Sequence, residues 1–246
     1  MAGGRRVGAV SGVKAAAAER RIAREGDPVK ARFFPRFFKT GPGEYGEGDR
    51  FAGVTVPALR RLVGEYQNMP LAEVAQLMNA ELHEARLLAL LILVRQYQKG
   101  DEQKREAIYR LYLRNKRRIN NWDLVDSSAP QIVGAHLDGR DQSILDDLAH
   151  SASVWDRRIA MIATQHYIRK GMFAPAVRIA SILVNDEHDL IHKAVGWMLR
   201  EIGKRDLPTE EKFLAKHYRK MPRTMLRYAI EKFPELRRKA YLDGKA

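Results

Sequence analysis

Positions 86, 122, 158, 193 and 228 hold Arg, Trp, Arg, Lys and Tyr, a column whose steps are 36, 36, 35 and 35 residues. Two residues after each stands an apolar side chain: Leu88, Leu124, Ala160, Val195 and Ile230. A period near 35 with a fixed apolar position belongs to stacked helical hairpins. One hairpin cannot cover its own apolar face and needs its neighbours to do so. The fold class this predicts is all-α, a helical-repeat solenoid of antiparallel helix pairs with a concave basic face. Helical spacing predicts elements over 56–67, 71–80, 82–99, 102–116, 121–136, 141–150, 154–170, 173–184, 188–203, 209–219, 222–232 and 235–242. Phe33, Phe34, Phe37 and Phe38 read as an apolar helix face, and the glycine-rich stretch 41–49 as a connector. It lacks the Gly-Lys-Ser/Thr ending of a phosphate-binding loop.

Charge narrows the partners. Net charge is +14, and it is carried by the ends. Residues 1–40 hold ten Lys/Arg against three acids, residues 200–246 fourteen against seven, and residues 41–199 twenty of each. That distribution suits a phosphate backbone. The absence of cysteine excludes disulfides and thiolate chemistry. No apolar run approaches the ~18 residues of a membrane span, and the start has no secretory apolar core. The expected location is cytoplasmic, at the nucleoid. The expected organisation is a basic N-terminal arm over 1–27, disordered at 1–11 with a helix near 12–26, and one repeat domain over 28–246.

The run Asn121-Trp122-Asp123-Leu124-Val125-Asp126-Ser127-Ser128 breaks the repeat's logic. Asp126 stands four residues beyond the first column, where the other repeats have Leu90, Ile162, Trp197 and Lys232. A carboxylate at such a place must be solvated, paired or useful. Register brings Trp122, Asp126, Arg158 and Trp197 toward one region from three helices. Spacing alone leaves two readings open: a built site, or core tryptophans beside an acid paired with a nearby base. His188 and His192 stand at i, i+4 without the metalloprotease pattern between them, so no metal site is expected. Lys193, in the basic column, reads as a phosphate contact rather than a Schiff-base nucleophile.

The same residues carry a family resemblance. Asn121–Asp126, Trp155-Asp156-Arg157-Arg158-Ile159-Ala160, Lys193-Ala194-Val195-Gly196-Trp197-Met198-Leu199-Arg200-Glu201 and Gly53-Val54-Thr55-Val56-Pro57-Ala58-Leu59-Arg60-Arg61 resemble the AlkD-like DNA alkylation repair glycosylases. So does the C-terminal Met221-Pro222-Arg223-Thr224-Met225-Leu226-Arg227-Tyr228, and the likeness runs over roughly 33–240. The resemblance implies HEAT-like repeats curved around double-stranded DNA, acting as a monomer without cofactor or metal. It also implies removal of N3- or N7-alkylated purines (3-methyladenine, 7-methylguanine or bulkier adducts), leaving an abasic site. Carried onto this chain, it assigns catalysis to Asp126 with Trp122 and Trp197 lining the site, and DNA contact to Arg158, chosen over its neighbour Arg157. Arg86, Lys193, Arg223, Arg227, Tyr228 and Lys232 complete the expected DNA surface. Two other classes share the charge: a non-catalytic protein that binds branched or bent DNA by shape, and a scaffold for an acidic protein.

Overall fold

A computed structural model describes residues 14–246, so the disorder expected for residues 1–11 lies outside the described part. Contacts divide the chain into two compact units, Met1–Gln96 and Tyr97–Ala246. The first holds α1 (Ala15–Glu25), α2 (Pro28–Phe38), α3 (Val56–Tyr66), α4 (Leu71–Met78) and most of α5 (His83–Lys99). The second holds α6 (Glu102–Arg114), α7 (Trp122–Asp126), α8 (Ser143–Ala149), α9 (Val154–Ala163) and α10 (Gln165–Arg169). It continues with α11 (Ala174–Leu183), α12 (Asp189–Gly203), α13 (Leu207–His217), α14 (Arg223–Ala229) and α15 (Glu235–Leu242). Among the described residues, the β-type pairing is one isolated bridge between Arg50 and Leu82. The protein is all-α.

In the first unit, α1 packs on α4 through Ala15, Ala18 and Ile22, all buried, and its first N–H donates to Glu73 (2.8 Å). Residues 15–25 therefore belong to the folded body, which corrects the expected boundary of an arm at residue 27. The Phe-rich helix forms as α2, capped by the Asp27 carboxylate on the N–H groups of Val29 and Lys30. Its apolar face is split: Phe34 and Phe38 pack on Phe51, with ring centroids 5.9 and 5.0 Å away, while Val29, Phe33 and Phe37 are 68, 59 and 58% exposed. The glycine-rich connector ends in a buried polar cluster rather than in solvent. Asp49 lies 3.1 Å from His83 Nδ1 and pairs with Arg86. Next to it, the buried Glu84 carboxylate accepts the N–H groups of Ala52, Gly53 and Val54. Gly53 sits at φ +86°, and a side chain there would meet the Asp27 carbonyl at 2.2 Å.

In the second unit, α7 packs on α9, α9 on α12 and α12 on α14, one row of helices, while α8, α11 and α13 form a second layer against it. The column Leu88, Leu124, Ala160, Val195 and Ile230 is fully buried at every step, as the period requires. Ion pairs from one repeat to the next reinforce the stack: Arg158 to Asp126, Arg178 to Asp146, Lys170 to Asp138 and Arg200 to Glu231. α12 and α14 touch closely because position 196 is glycine. A Cβ there would stand 2.4 Å from the Met225 carbonyl oxygen and 2.5 Å from Tyr228 Cβ.

Two expected helices are interrupted. The one predicted over 121–136 becomes α7, a turn at 127–128 and a π-helical segment over Pro130–Gly134. Pro130 has no N–H to offer the Asp126 carbonyl, so the ordinary ladder stops at Asp126 and resumes with a wider spacing. The one predicted over 154–170 breaks at Thr164, whose hydroxyl donates back to the Met161 carbonyl (2.6 Å).

On α13, burial pushes the Glu210 carboxyl up to about 8, with repulsion from Glu211 adding to it, and Glu210 Oε1 has no hydrogen-bond partner. The folded chain then holds a proton at neutral pH that the unfolded chain releases. Stability from this group is highest at acid pH and falls as pH rises from the ordinary glutamate range to about 8. We expect Glu210→Gln to remove that slope and to stabilise the alkaline form by roughly 1–4 kcal/mol, with little change in acid. Urea denaturation across pH reads this directly, and parallel wild-type and variant curves would refute it.

Candidate active site

Local sequence sets the carboxylate's position. Asn121 Oδ1 accepts the Trp122 N–H (2.8 Å) and starts α7, while Asp123, Leu124 and Val125 are buried. The burial of those three leaves Trp122 and Asp126, one turn apart, on the more open side; both are half-buried. Ser128 fixes the end of this turn. Its hydroxyl donates to the Leu124 carbonyl (2.6 Å) and lies 3.1 Å from the buried Tyr112 hydroxyl, whose ionisation burial pushes strongly upward. Ser128 closes the same octapeptide, but its spacing there did not announce this role. Tyr112 gave no signal in the sequence.

Arg158 reaches Asp126 from α9. Its Nε donates to Oδ1 (3.0 Å) and its Nη2 to Oδ2 (2.8 Å), while Nη1 donates to the Leu190 carbonyl in the first turn of α12 (2.6 Å). The two side chains are 6% and 18% exposed. One guanidinium thus joins three helices, and each carboxylate oxygen receives one charge-assisted bond. Burial lifts the Asp126 carboxyl above its ordinary value, the nearby Asp123 charge adds to this, and Arg158 limits the rise. The neighbouring arginine faces elsewhere: Arg157 pairs with Asp186 (2.6 Å) and donates to the Ser151 and Ala152 carbonyls. Of the two arginines, Arg158 is the one that meets Asp126.

The structure brings Asp126 and Arg158 together and leaves the two tryptophans on the helices that pack against α9: Trp122 on α7, Trp197 on α12. Trp197 is half-buried, two turns beyond Leu190. Lys193 lies between them and pairs with Asp189 (2.6 Å). Of the other expected DNA contacts, Arg223, Arg227 and Lys232 are exposed on α14 and the turn after it. Arg223 donates to the Leu242 carbonyl, and Lys232 lies 3.2 Å from Glu231. Tyr228 is half-buried, against Gly196.

One expectation needs correction. Arg86 is only 2% exposed, with its guanidinium on Asp49 and on the Ala80 and Glu81 carbonyls, so it is a structural residue of the first unit and offers no surface to a phosphate. Arg158 is also enclosed, its side chain 6% exposed and set against the Asp126 carboxylate. The first column is therefore not a continuous cationic stripe: two of its five members turn inward. His188 and His192 hydrogen-bond locally, His188 Nδ1 accepting the Leu190 N–H and His192 Nε2 meeting the Asp186 carbonyl. No group of three His, Cys, Asp or Glu able to hold a metal occurs among the described residues. Nor is any described helix long and apolar enough to cross a membrane.

The fold and the Asp126–Arg158 pair can now be set beside known proteins. The family of DNA alkylation repair enzymes matches residues 18–233, and the chain belongs to it. The match starts inside α1, earlier than residue 33. No curated protein matches at a significant level. Among solved structures, a "predicted DNA alkylation repair enzyme" from Enterococcus faecalis is similar, at 16% identity and a TM-score of 0.65. The likeness covers 86% of this chain and 98% of that one. At that identity it speaks for the fold.

Removing the guanidinium should expose what the pair does for the fold. With Arg158→Ala, Asp126 is left half-buried without that partner and must either keep an unpaired charge or take up a proton, at a cost of roughly 3 kcal/mol at neutral pH. The loss should shrink as pH falls and Asp126 takes up a proton, because a neutral carboxyl no longer needs the arginine. Urea midpoints at neutral and acid pH would show it; an equal loss at both would mean that packing, not charge, is what Arg158 supplies.

Proposed function

We propose that the chain is a monofunctional alkylpurine DNA glycosylase. It hydrolyses the N-glycosidic bond of cationic N3- or N7-alkylated purines in double-stranded DNA, acts as a monomer, and leaves an abasic site. The carboxylate of Asp126, held in place by Arg158 on a half-buried surface with Trp122 and Trp197 on adjoining helices, carries this reading. Membership of the DNA alkylation repair enzyme family supports it.

The chemistry asks little of a general acid. An alkylated purine already bears positive charge, so when its bond to C1′ breaks, the electron pair neutralises the departing base. Positive charge develops on the sugar as an oxocarbenium, which water attacks. Asp126 faces that charge, orients the water and takes its proton. A carboxylate about 4 Å from the cation is worth roughly 4 kcal/mol at an effective dielectric near 20. The Arg158 charge, about 4 Å further back, removes roughly half, leaving about 2 kcal/mol, or around thirtyfold in rate. The indole faces of Trp122 and Trp197 add about 0.5–2 kcal/mol each. Lys193, Arg223, Arg227, Tyr228 and Lys232 hold the phosphates and sugar. Arg158 acts as a positioning residue.

This electrostatic arrangement makes an unusual forecast. Asp126→Asn removes the attraction and uncovers the Arg158 repulsion, a change of about 4 kcal/mol, so base release should fall roughly a thousandfold. The double variant Asp126→Asn/Arg158→Gln lacks that repulsion and should be faster than the single one, by around thirtyfold. The assay is chromatographic release of 3-methyladenine and 7-methylguanine from methylated duplex DNA. Because burial raises the Asp126 carboxyl and the ionised form acts, the acid limb of the wild-type rate should lie above the ordinary aspartate range. Wild-type protein that binds duplex DNA and releases no base would move the reading to shape recognition of DNA. A double variant no faster than Asp126→Asn would reject the charge balance described here.

A further inference from the structure

We propose that the groove between α11 and α13 is a docking site for an acidic amphipathic helix of a partner protein. The groove encloses about 490 Å³. Phe173, Val177 and Phe213 form an apolar floor, and Lys212, Lys216 and His217 form one wall. The Phe213 and His217 rings lie against each other, tilted by 33° with centroids 4.5 Å apart, and Lys212 and Lys216 follow at one-turn spacing on the exposed side of α13. No carboxylate lines the groove. Neither lysine makes an ion pair among the described residues, whereas Arg178 on α11 pairs with Asp146 and Arg237 with Glu211. Burial and the charges of Lys216 and Lys220 hold His217 below its ordinary value, so at neutral pH it contributes an aromatic surface rather than a third charge. None of these residues belongs to the Asp126 region, and the proposal does not depend on the glycosylase reading.

Charge complementarity selects the occupant. Two unpaired lysines call for anions, and an aromatic floor calls for apolar side chains delivered at the same time. A phosphodiester backbone would satisfy the lysines and leave the floor wet. The walls are two helices with no free strand edge, so an extended peptide has no ladder to join. A helix whose apolar residues fall at i, i+3, i+4 and i+7, flanked by Glu or Asp, meets both requirements.

The test uses the full chain and a fluorescein-labelled synthetic helix with Leu at those four spacings and Glu on both flanks. Fluorescence anisotropy should show saturable, salt-weakened binding. The same composition scrambled, so that no apolar face forms, should bind at least about tenfold more weakly. Lys212→Glu/Lys216→Glu, on the exposed side of α13, should weaken the amphipathic peptide by about tenfold or more and leave duplex-DNA affinity unchanged. Equal binding of the scrambled peptide, no binding of either, or unaltered binding by the double variant would each overturn the proposal. Loss of duplex-DNA affinity in that variant would also overturn it, by placing the two lysines on the DNA surface.

Discussion

The bidentate pair between Arg158 and Asp126 is the interaction that ties α7, α9 and α12 of the second unit together. A carboxylate that is mostly out of water should lose its charge unless something replaces the hydration it gave up. Arg158 does so with two parallel bonds, and a third bond to the Leu190 carbonyl fixes the guanidinium to α12. A lysine could supply the charge but not the fork, so it could not set the plane of the carboxylate. The result is a side chain on a five-residue helix whose orientation is determined by two longer ones. Each carboxylate oxygen keeps a lone pair free of the arginine, which is what a group acting on water or on a cation requires.

How much of this was legible in the sequence depended on whether a feature repeats. The apolar column at 88, 124, 160, 195 and 230 is buried throughout, because a period identifies equivalent positions and equivalent positions in stacked hairpins share an environment. The Asp126 anomaly was visible for the same reason, as a carboxylate in a column where Leu90, Ile162 and Trp197 are apolar and Lys232, in the last repeat, is the other charged member. What a period cannot give is the partner. Arg86 occupies the same column as Lys193 yet is buried, because Asp49 at the end of a non-repeating connector reaches it. Nothing in the spacing of the connector announced that its last residue would be part of a core.

Periodicity passes over the break after Asp126 for a related reason. Ile132 and Val133 continue the apolar pattern of α7 and are fully buried, so periodicity alone carries a helix through 136. Pro130 marked the defect, but a lost N–H changes hydrogen bonding, not hydropathy, and the chain keeps its buried face by widening to a π turn. The exposed Phe33 and Phe37 are the converse case: the helical pattern is present, and nothing in it says whether a core lies opposite.

Charge balance also explains why such a site would need its tryptophans. A lone carboxylate facing a duplex would be repelled by the phosphates, and in a chain of net charge +14 it would instead draw nearby lysines out of the DNA surface. Pairing with Arg158 cancels the net charge, so phosphates can approach while the carboxylate oxygens stay in front. The same cancellation weakens the field at a developing sugar cation, by roughly half at an effective dielectric near 20. A site that gives up that much electrostatic stabilisation must recover it from groups that attract cations without repelling anions. Indole rings are such groups, since their attraction comes from a quadrupole and falls away steeply with distance. In this reading the half-buried Trp122 and Trp197 are not accessory walls. They are the part of the arrangement that lets a neutral ion pair serve next to a polyanion.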